Sequence, residues 1–295
     1  MFYDFLSFFP RIISKLIESS LTNEDINYLE EIRLRANKNI ILKFNNKEII
    51  LDYIVTSKDL LETLQIICEN SIYSYQKEIC EGYITVKGGH RVGITGECVI
   101  EDGKLINIKY ISSLNFRIAR EVIGCSNYLM ENVVDKENKT VYNTLIVSLP
   151  GAGKTTLLRD IVRNISNGLY FFEGQTVGLI DERGEIAACF KGIPQNDVGL
   201  RTDVIANIPK NIGIKMLIRS MAPKVIAVDE IGNKEDVEAL QNAICSRNKN
   251  YLHCTWWKDA RFRIKYQLKK NYKIKFFWKN YFFKTKRQKR KNWKY

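Results

Sequence analysis

Apolar residues recur with two different periods along the chain, and the two periods predict different elements. In residues 57–74 the apolar positions have helical spacing, whereas residues 39–44 and 47–51 are short apolar runs on either side of an Asn-Asn pair. The first pattern predicts a helix and the second predicts a β-hairpin. Residues 82–100 are punctuated by glycines, which predicts two short strands around a Gly-Gly turn. Residues 1–134 are therefore expected to form a smaller N-terminal α+β domain.

In the second half of the chain the pattern changes to short apolar runs separated by a helical stripe. The stripe covers residues 157–165, and the runs are 144–148, 177–180 and 225–228. Short apolar runs bounded by turn residues are typical of buried parallel strands. Strands that alternate with helices predict an α/β fold with a mostly parallel sheet. This domain is expected to span 141–255, after a polar linker at 135–140.

The last part of the chain, residues 256–295, differs in composition from everything before it. It holds all four tryptophans, thirteen aromatic residues and sixteen Lys or Arg, against a single acid, Asp259. Because the whole chain carries a net charge of +13, the remaining 255 residues sum to −2. Basic and aromatic residues in alternation are typical of single-stranded nucleic-acid binding, but a shifted reading frame of AT-rich DNA encodes the same composition. We prefer the second interpretation, so the tail is expected to be non-native or disordered and nucleic acid is not expected as a partner.

Other features of the whole chain argue against several classes of protein. The seven cysteines are scattered and never spaced as Cys-x-x-Cys, which argues against a disulfide framework and against a zinc site. Reduced thiols in a cytosolic protein fit this pattern. No run of eighteen apolar residues is present, so no membrane-spanning helix is predicted. His90 and His253 have no ligand spacing, which argues against a histidine-based metal or hydrolase site.

A phosphate-binding loop is predicted between the first apolar run and the helical stripe. Residues 148–156 match the pattern G-x-x-x-x-G-K-[ST], except that Ser148 replaces the first glycine. Glycines let backbone N–H groups close around a phosphate, and the N-terminus of the following helix points at the same anion. Lys154 adds a positive charge on the β- and γ-phosphates, and the Thr155 hydroxyl is predicted to ligate Mg²⁺. The predicted nucleotide-binding residues are Ser148, Pro150, Gly151, Ala152, Gly153, Lys154, Thr155 and Thr156.

A pair of acidic residues follows the third apolar run. Residues 225–230 end in Asp229 and Glu230, 75 residues after Lys154. In combination with a phosphate-binding loop, an apolar strand that ends in two acids is typical of a Walker B motif. Asp229 is therefore predicted near Mg²⁺, and Glu230 is predicted to polarise the attacking water. Because the loop contacts only phosphates, these residues predict nucleotide hydrolysis without indicating which base is bound.

Further catalytic candidates lie near the other apolar runs. Asp181 and Glu182 follow the run at 177–180, at the edge where α/β sheets bind ligands, so either could orient water. A surface pair between Asp and Arg explains them equally well. Arg201 and Arg219 are candidates for contact with the γ-phosphate, and Arg219 is preferred because it lies just before the Walker B strand. Three arginines of the first domain could reach a neighbouring site: Arg91, Arg117 and Arg120, of which the last two share a face if 112–122 is helical.

Four blocks of the sequence resemble the stage III sporulation protein AA family of endospore-forming Firmicutes. The blocks are 88–93, 112–122, 181–187 and 192–204. Ser148 and Pro150 of the phosphate-binding loop also fit that family. Residues 219–232 are similar to the Walker B region of secretion ATPases of the type II and type IV systems, which place an arginine and a proline just before the strand. The resemblance covers the chain from about residue 5 to residue 255.

The resemblance implies a fold, an activity and a cellular role. The predicted fold is a RecA-like P-loop NTPase domain with a mostly parallel sheet, preceded by the smaller α+β domain. The implied protein is a cytoplasmic ATPase of the mother cell, peripheral to the membrane, that uses ATP and Mg²⁺. It would assemble as a homo-oligomeric ring, expected to be a hexamer, with the membrane proteins of a secretion-like channel between mother cell and forespore. Lys154, Thr155, Asp229 and Glu230 carry over by position, and Asp181 or Glu182 would correspond to the acidic box.

The chain departs from the family after Thr255. The family continues with a His-Gly motif, whereas this chain continues with Trp256-Trp257-Lys258-Asp259. Loss of that histidine is expected to impair hydrolysis or the coupling between subunits. Three functions therefore remain open. The leading one is an ATP-hydrolysing motor of a sporulation channel, the second is a nucleotide-binding protein without turnover, and the third is an ATP-driven nucleic-acid motor that only the basic tail suggests.

Overall fold

The chain divides into two compact units. Our computed structural model describes residues 5–45, 47–148, 152–230, 235–236, 238–239, 250–256 and 274–278. The first unit combines Met1–Arg120 with Ala188–Asn196, and the second combines Glu121–Ala187 with Asp197–Tyr295. The first unit is thus discontinuous in sequence, because the short segment after Ala187 belongs to it, whereas the residues on either side of that segment belong to the second unit. The domain limits given by the sequence remain a prediction.

A sheet of antiparallel strands forms the centre of the first unit. Its strands are β1 (Leu29–Arg35), β2 (Asn39–Phe44), β3 (Glu48–Ile54), β4 (Tyr83–Thr85), β5 (Arg91–Glu101) and β6 (Lys104–Arg117). Their order is β3-β2-β1-β6-β5-β4. The pairing of β2 with β3 and of β4 with β5 confirms the two predicted hairpins. Buried and partly exposed residues alternate along β2, because one face of the sheet packs on the core and the other does not.

Helices cover one face of this sheet, and threonines cap two of them. The helices are α1 (Arg11–Ser19), α2 (Asn23–Ile26), α3 (Ser57–Ile67) and α4 (Gln76–Cys80), with a 3₁₀ turn at Ile72–Tyr75. Thr22 and Thr56 each accept the backbone N–H three residues on and form capping boxes. The helix predicted at 57–74 ends at Ile67, because Glu69 and Asn70 adopt positive φ values of 49° and 62° and turn the chain.

The segment at 112–122 is not helical. Residues up to Arg117 belong to β6, and residues 118–120 have no regular structure. The alternation of buried Leu114 and Phe116 with more exposed neighbours is the period of a strand. Phe116 packs its ring 4.4 Å from that of Phe9 in the core, which fixes the register of β6.

The second unit is a parallel sheet flanked by helices, as predicted. Its helices are α5 (Asn127–Val133), α6 (Lys154–Asn167) and α7 (Lys210–Ser220). Its strands are β7 (Val134–Asp135), β8 (Thr140–Val141), β9 (Asn143–Ser148), β10 (Gly168–Leu169), β11 (Phe172–Glu173), β12 (Val177–Asp181), β13 (Thr202–Ala206), β14 (Val225–Glu230), β15 (Asn250–Trp256) and β16 (Ile274–Trp278). The main sheet has the order β13-β12-β14-β15-β9-β16, and each neighbouring pair is parallel. The carboxyl ends of these strands therefore lie at one edge and their amino ends at the other.

Two segments of the second unit differ from what their composition suggests. Residues 135–140, which the sequence predicts as a linker, form most of the antiparallel β7–β8 hairpin. Polar residues suit a solvated turn as well as a linker, so the pattern alone does not distinguish the two. Within the basic tail, β16 pairs with β9, whereas the sequence predicts no regular structure there.

Candidate nucleotide-binding site

The helix α6 places the predicted phosphate-binding residues at the carboxyl edge of the sheet. Gly153 precedes the helix with a φ of 76°, a left-handed conformation that glycine adopts without steric cost. Lys154 is the first helical residue, and only 8% of its surface is exposed. The stripe of apolar residues predicted at 157–165 is buried, which holds the helix against the sheet. Lys154 thus begins the helix whose N-terminus follows β9, which is the arrangement that a phosphate-binding loop requires.

The remaining residues of the predicted loop are described only in part. Ser148 is the last residue of β9, and its side chain lies outside the described residues, as do Pro150 and Gly151 altogether. Ala152 is half-buried next to the helix. Thr155 and Thr156 are half-buried in the first turn of α6. Their position after Lys154 is the one that the predicted role of Thr155 as a Mg²⁺ ligand requires.

Asp229 lies at the same edge of the sheet, near the end of β14. The residue is 6% exposed, and burial, together with the negative charges of Asp181 and Glu185, raises the pKa of its carboxyl group to about 6. Lys210 and Arg183 oppose this shift without cancelling it. An excess of negative charge in a buried site is what a divalent cation would neutralise. Glu230 is the last residue of β14, and its side chain lies outside the described residues.

The order of the strands relates the two motifs. β15 lies between β9, which leads into the phosphate-binding loop, and β14, which carries the two acids. In the register of these strands Cys254 pairs with Ile146 on one side and with Glu230 on the other. The described residues contain no group of three or more His, Cys, Asp or Glu that could hold a metal by itself. Mg²⁺ that bridges nucleotide phosphates needs only one or two protein ligands, so Thr155 and Asp229 fit such an ion.

Asp181 is fully buried at the end of β12 and binds the backbone of the segment that follows it. Its Oδ1 accepts the N–H of Glu185 at 2.8 Å, and its Oδ2 accepts those of Ile186 and Ala187 at 3.1 and 2.8 Å. These bonds close the loop from 182 to 187 back onto the strand. The carboxylate therefore positions this loop, in addition to lowering the local potential at Asp229.

Glu182 forms an ion pair with Lys210, the first residue of α7. The Lys210 side chain is buried, and that of Glu182 is about one-third exposed. The sequence does not single out Lys210, because a lysine at the start of an amphipathic helix is usually exposed to solvent. The pair fixes the start of α7 beside the loop that Asp181 holds.

Arg159, which the sequence analysis did not single out, holds the same loop from the other side. Its Nε donates to the Ile186 carbonyl at 2.6 Å and its Nη2 to the Glu185 carbonyl at 2.7 Å. Burial lowers the pKa of this guanidinium group. Because Arg159 belongs to α6, the helix that begins at Lys154 is joined directly to the loop after Asp181.

The structure gives the other candidate arginines a variety of surroundings. Arg219 is exposed in the last turn of α7. Arg201 donates from Nη1 to the Ser166 carbonyl at 3.0 Å. In the first unit, Arg120 donates to the Leu29 carbonyl at 2.6 Å, and Arg91 lies over the ring of Tyr83. Arg117 is exposed at the end of β6. Their predicted contacts with nucleotide stay predictions.

The two histidines of the sequence lie in different units. His90 is buried in the first unit, where its Nδ1 accepts the N–H of Ala119 at 3.0 Å and its ring packs edge-on against Phe5. Burial lowers its pKa to about 4, so the ring is neutral at physiological pH. His253 lies in β15, and its side chain is outside the described residues.

The fold is shared with solved ATPases, among them a pilus retraction motor. The X-ray structure of the Legionella pneumophila ATPase DotB matches with a TM-score of 0.55 and 13% identity, over 86% of this chain and 68% of that chain. The pilus retraction motor PilT with bound ADP matches with a TM-score of 0.51 and 15% identity, over 84% of this chain and 66% of that chain. The fold class is therefore that of α/β P-loop NTPases, as predicted.

Sequence comparison gives the family within this class. The chain belongs to the family described as sporulation stage III, protein AA, whose profile matches residues 6–263. The stage III sporulation protein AA of Bacillus subtilis (strain 168) is 40% identical over 216 residues, which are 73% of this chain and 69% of that protein. The uncharacterized protein ycf45 of Cyanidium caldarium is 28% identical over 131 residues, which are 44% of this chain and 36% of that protein. The predicted family is confirmed.

Proposed function

We propose that this protein binds and hydrolyses ATP and drives movement in a secretion-like channel during sporulation. The observation that carries the proposal is that a buried lysine and a buried carboxylate lie at the same edge of the sheet. Lys154 begins α6 after β9, and Asp229 is the second-last residue of β14, the strand that lies beyond β15. A buried lysine at a helix N-terminus suits phosphate, and a buried carboxylate with a raised pKa suits the metal that accompanies it.

Each residue of the proposed site has a distinct task. The backbone N–H groups of residues 151–156 and the Lys154 ammonium group would hold the β- and γ-phosphates. Thr155 and Asp229 would hold Mg²⁺, which neutralises charge on the transferred phosphoryl group when bound. Glu230 would accept a proton from the attacking water. Asp181, or Glu182 in its place, would orient that water. Arg219, in the last turn of α7 just before the amino end of β14, would contact the γ-phosphate bound by a neighbouring subunit.

Phosphate release by the purified full-length chain tests the enzymatic part of the proposal. We expect Glu230→Gln to reduce release by a factor of at least about 100, because a positioned general base contributes 10²–10⁴-fold. It should leave the binding of a fluorescent ATP analogue nearly unchanged, whereas Lys154→Ala should abolish that binding. The exposed Glu137 provides a matched control, and Glu137→Gln should alter neither measurement.

The same two measurements separate hydrolysis from binding alone. Analogue binding that needs Lys154, without any release that depends on Glu230, would reduce the protein to a nucleotide-binding one. Absence of analogue binding would refute the proposed site altogether. Without nucleotide binding, the proposal of a motor would also lose its support.

The proposed assembly is a homo-oligomeric ring, a hexamer, that contacts the membrane proteins of the channel from the cytoplasm of the mother cell. Support comes from the shared fold, since the solved proteins with that fold include a pilus retraction motor. None of the helices in the described part of the chain has both the length and the apolar content needed to cross a bilayer. Light scattering with and without ATP and Mg²⁺ tests the ring: a mass that stays that of one chain in both conditions would contradict it.

A further inference from the structure

A cavity of about 500 Å³ lies in the second unit, at the edge of the sheet opposite the proposed nucleotide site. Three of its lining residues mark this edge, because Gln175 precedes β12, Lys224 precedes β14 and Lys139 precedes β8 and β9. Asp181, Asp229 and the phosphate-binding loop all follow strands of the same parallel sheet. Strands of five or six residues at about 3.3 Å per residue separate the two edges by roughly 17–20 Å. The cavity is therefore a second site.

The walls of the cavity come from the β10–β11 hairpin and from the turn between β7 and β8. The hairpin supplies Tyr170 and Phe171, whose rings meet edge to face at a centroid distance of 4.8 Å. Tyr170 is 96% exposed. The Nζ of Lys136 lies 4.7 Å from the centre of the Phe171 ring. Aromatic side chains held at the surface in this way are enriched in surfaces that bind other proteins.

One polar atom in the lining lacks a partner. Gln175 is buried, with 6% of its surface exposed. Its Nε2 donates to the Lys139 carbonyl at 2.7 Å, and its backbone N–H donates to the Ile165 carbonyl at 2.9 Å. Its Oε1 is buried and accepts no hydrogen bond from the described residues. Because a buried acceptor without a donor is unfavourable, a ligand that brings an N–H to this oxygen would gain affinity.

The charges of the cavity select for anions. Lys136, Lys139 and Lys224 line it and are exposed, against one lining acid, Glu173. Lys136 also pairs with Glu131 at 3.1 Å, so the charge is positive but moderate. Single ion pairs at exposed lysines contribute little, so one small anion would gain little affinity. An occupant with several carboxylates spaced along a chain would engage two or three lysines at once.

We propose that this cavity binds a short acidic segment of another polypeptide. Such a segment presents backbone N–H groups at regular intervals, one of which satisfies Gln175 Oε1. Its carboxylates pair with Lys139 and Lys224, and an apolar or aromatic side chain packs on Tyr170 and Phe171. Glu173 in the lining, and Glu131 paired with Lys136, disfavour a nucleic-acid backbone with a charge at every residue. The proposal does not depend on ATP hydrolysis.

Fluorescence anisotropy with two labelled peptides tests the proposal on the full-length chain. In the first peptide Glu alternates with Ala around a central Tyr, and in the second Gln replaces every Glu. We expect the acidic peptide to bind at least about tenfold more tightly, a difference of about 1.4 kcal/mol. Its affinity should fall as salt rises, because the lysines are exposed. Equal affinity for both peptides, or no binding of the acidic one at millimolar concentration, would overturn the proposal.

Variants locate the binding. Lys139→Glu and Lys224→Glu should each weaken binding of the acidic peptide about tenfold, whereas Lys215→Glu, at an exposed lysine of α7 outside the cavity, should not. Gln175→Met, which fills the same space without an acceptor, should weaken it about fivefold or more. Thermal unfolding of the Gln175 variant separates loss of the acceptor from loss of the fold. If all three lysine variants behave alike, the cavity is not the site.

Two other ligands serve as competitors. Citrate carries three carboxylates without a chain, and an oligomer of thymidylate carries a phosphate at every residue. We expect neither to displace the acidic peptide at concentrations where the unlabelled peptide does. Displacement of the acidic peptide by citrate at equal concentration would identify the occupant as a small anion. Tighter binding of the oligonucleotide than of the peptide, if Lys139→Glu abolishes it, would identify the occupant as nucleic acid. Either result would refute a polypeptide occupant.

Discussion

Replacement of Asp160 by Ala should destabilise the second unit more than any single change on the surface of α6. Asp160 is buried in that helix and accepts the N–H of Gly124 at 2.9 Å and both the N–H and the hydroxyl of Ser126 at 2.7 Å. It also accepts two bonds from Arg163, at 3.0 and 2.9 Å. The chain entering α5 is thus tied to α6 by the Asp160 carboxylate, and Asn164 adds bonds from its Nδ2 to Ser126 and Asn127.

The magnitude follows from the groups left behind. Without the carboxylate, two backbone N–H groups and a hydroxyl lose their acceptor. The Arg163 guanidinium group, whose side chain is 16% exposed, loses its ion pair and retains its bond to Asn164 Oδ1. Removal of one partner from a buried ion pair costs about 3–5 kcal/mol, and we expect that cost for Asp160→Ala. Arg163→Met should cost less, about 1–3 kcal/mol, because Ser126 and Gly124 still satisfy Asp160.

Equilibrium unfolding in urea, followed by circular dichroism, measures the three free energies. Glu137→Gln, at an exposed position in the same unit, is the control and should change the free energy of unfolding by less than about 0.5 kcal/mol. The reasoning fails if Asp160→Ala costs no more than Arg163→Met. It also fails if both costs are within the range of the control.

Three further predictions concern other buried groups. Burial holds the pKa of His90 at about 4, against 6.5 in the unfolded chain. The contribution of His90 to the free energy of unfolding should therefore be complete above pH 6.5 and fall by about 3 kcal/mol as the pH drops to 4. His90→Asn, which keeps an acceptor for the N–H of Ala119, should remove this pH dependence in acid unfolding curves. Glu182→Gln leaves the buried Lys210 without its ion-pair partner and should lower the free energy of unfolding in urea by about 1–2 kcal/mol. Addition of Lys210→Met to this variant should restore stability. Costs of the two substitutions that simply add would contradict the pairing. Gly199→Ala should cost more than about 2 kcal/mol, because φ is 93° and a Cβ there would lie 2.5 Å from the Cβ of Ser166; an unchanged thermal midpoint would show that the turn relaxes.

The elements that the sequence predicts best are those whose pattern has a single physical explanation. The stripe at 157–165 is a helix because its period is helical and its apolar face covers the sheet. The short runs become parallel strands because both of their faces are buried, as the five consecutive buried residues of β12 illustrate. Helix caps were also predictable, since Thr22 is followed three residues later by an acid.

Predictions failed or stayed open where the outcome depends on partners distant in sequence. The segment at 112–122 contains two arginines at helical spacing, yet the burial of Leu114 and Phe116 makes it a strand up to Arg117. For Asp181 the sequence left a role in orienting water open beside a surface pair. The structure adds its contacts with the N–H groups of residues 185–187, which no local pattern encodes. Arg159 was missed for the same reason, because its acceptors are backbone carbonyls 26 and 27 residues away.

The length of α6 links the two edges of the sheet. The helix has 14 residues, so it is about 21 Å long. It begins at Lys154 and ends at the hairpin that lines the basic cavity, and Ile165 near its end receives the N–H of Gln175. A helix packed along one face moves as a rod, so a shift at one end displaces the other. If ATP changes the affinity of the cavity for its occupant by some factor, thermodynamic reciprocity requires that the occupant change the affinity for ATP by the same factor.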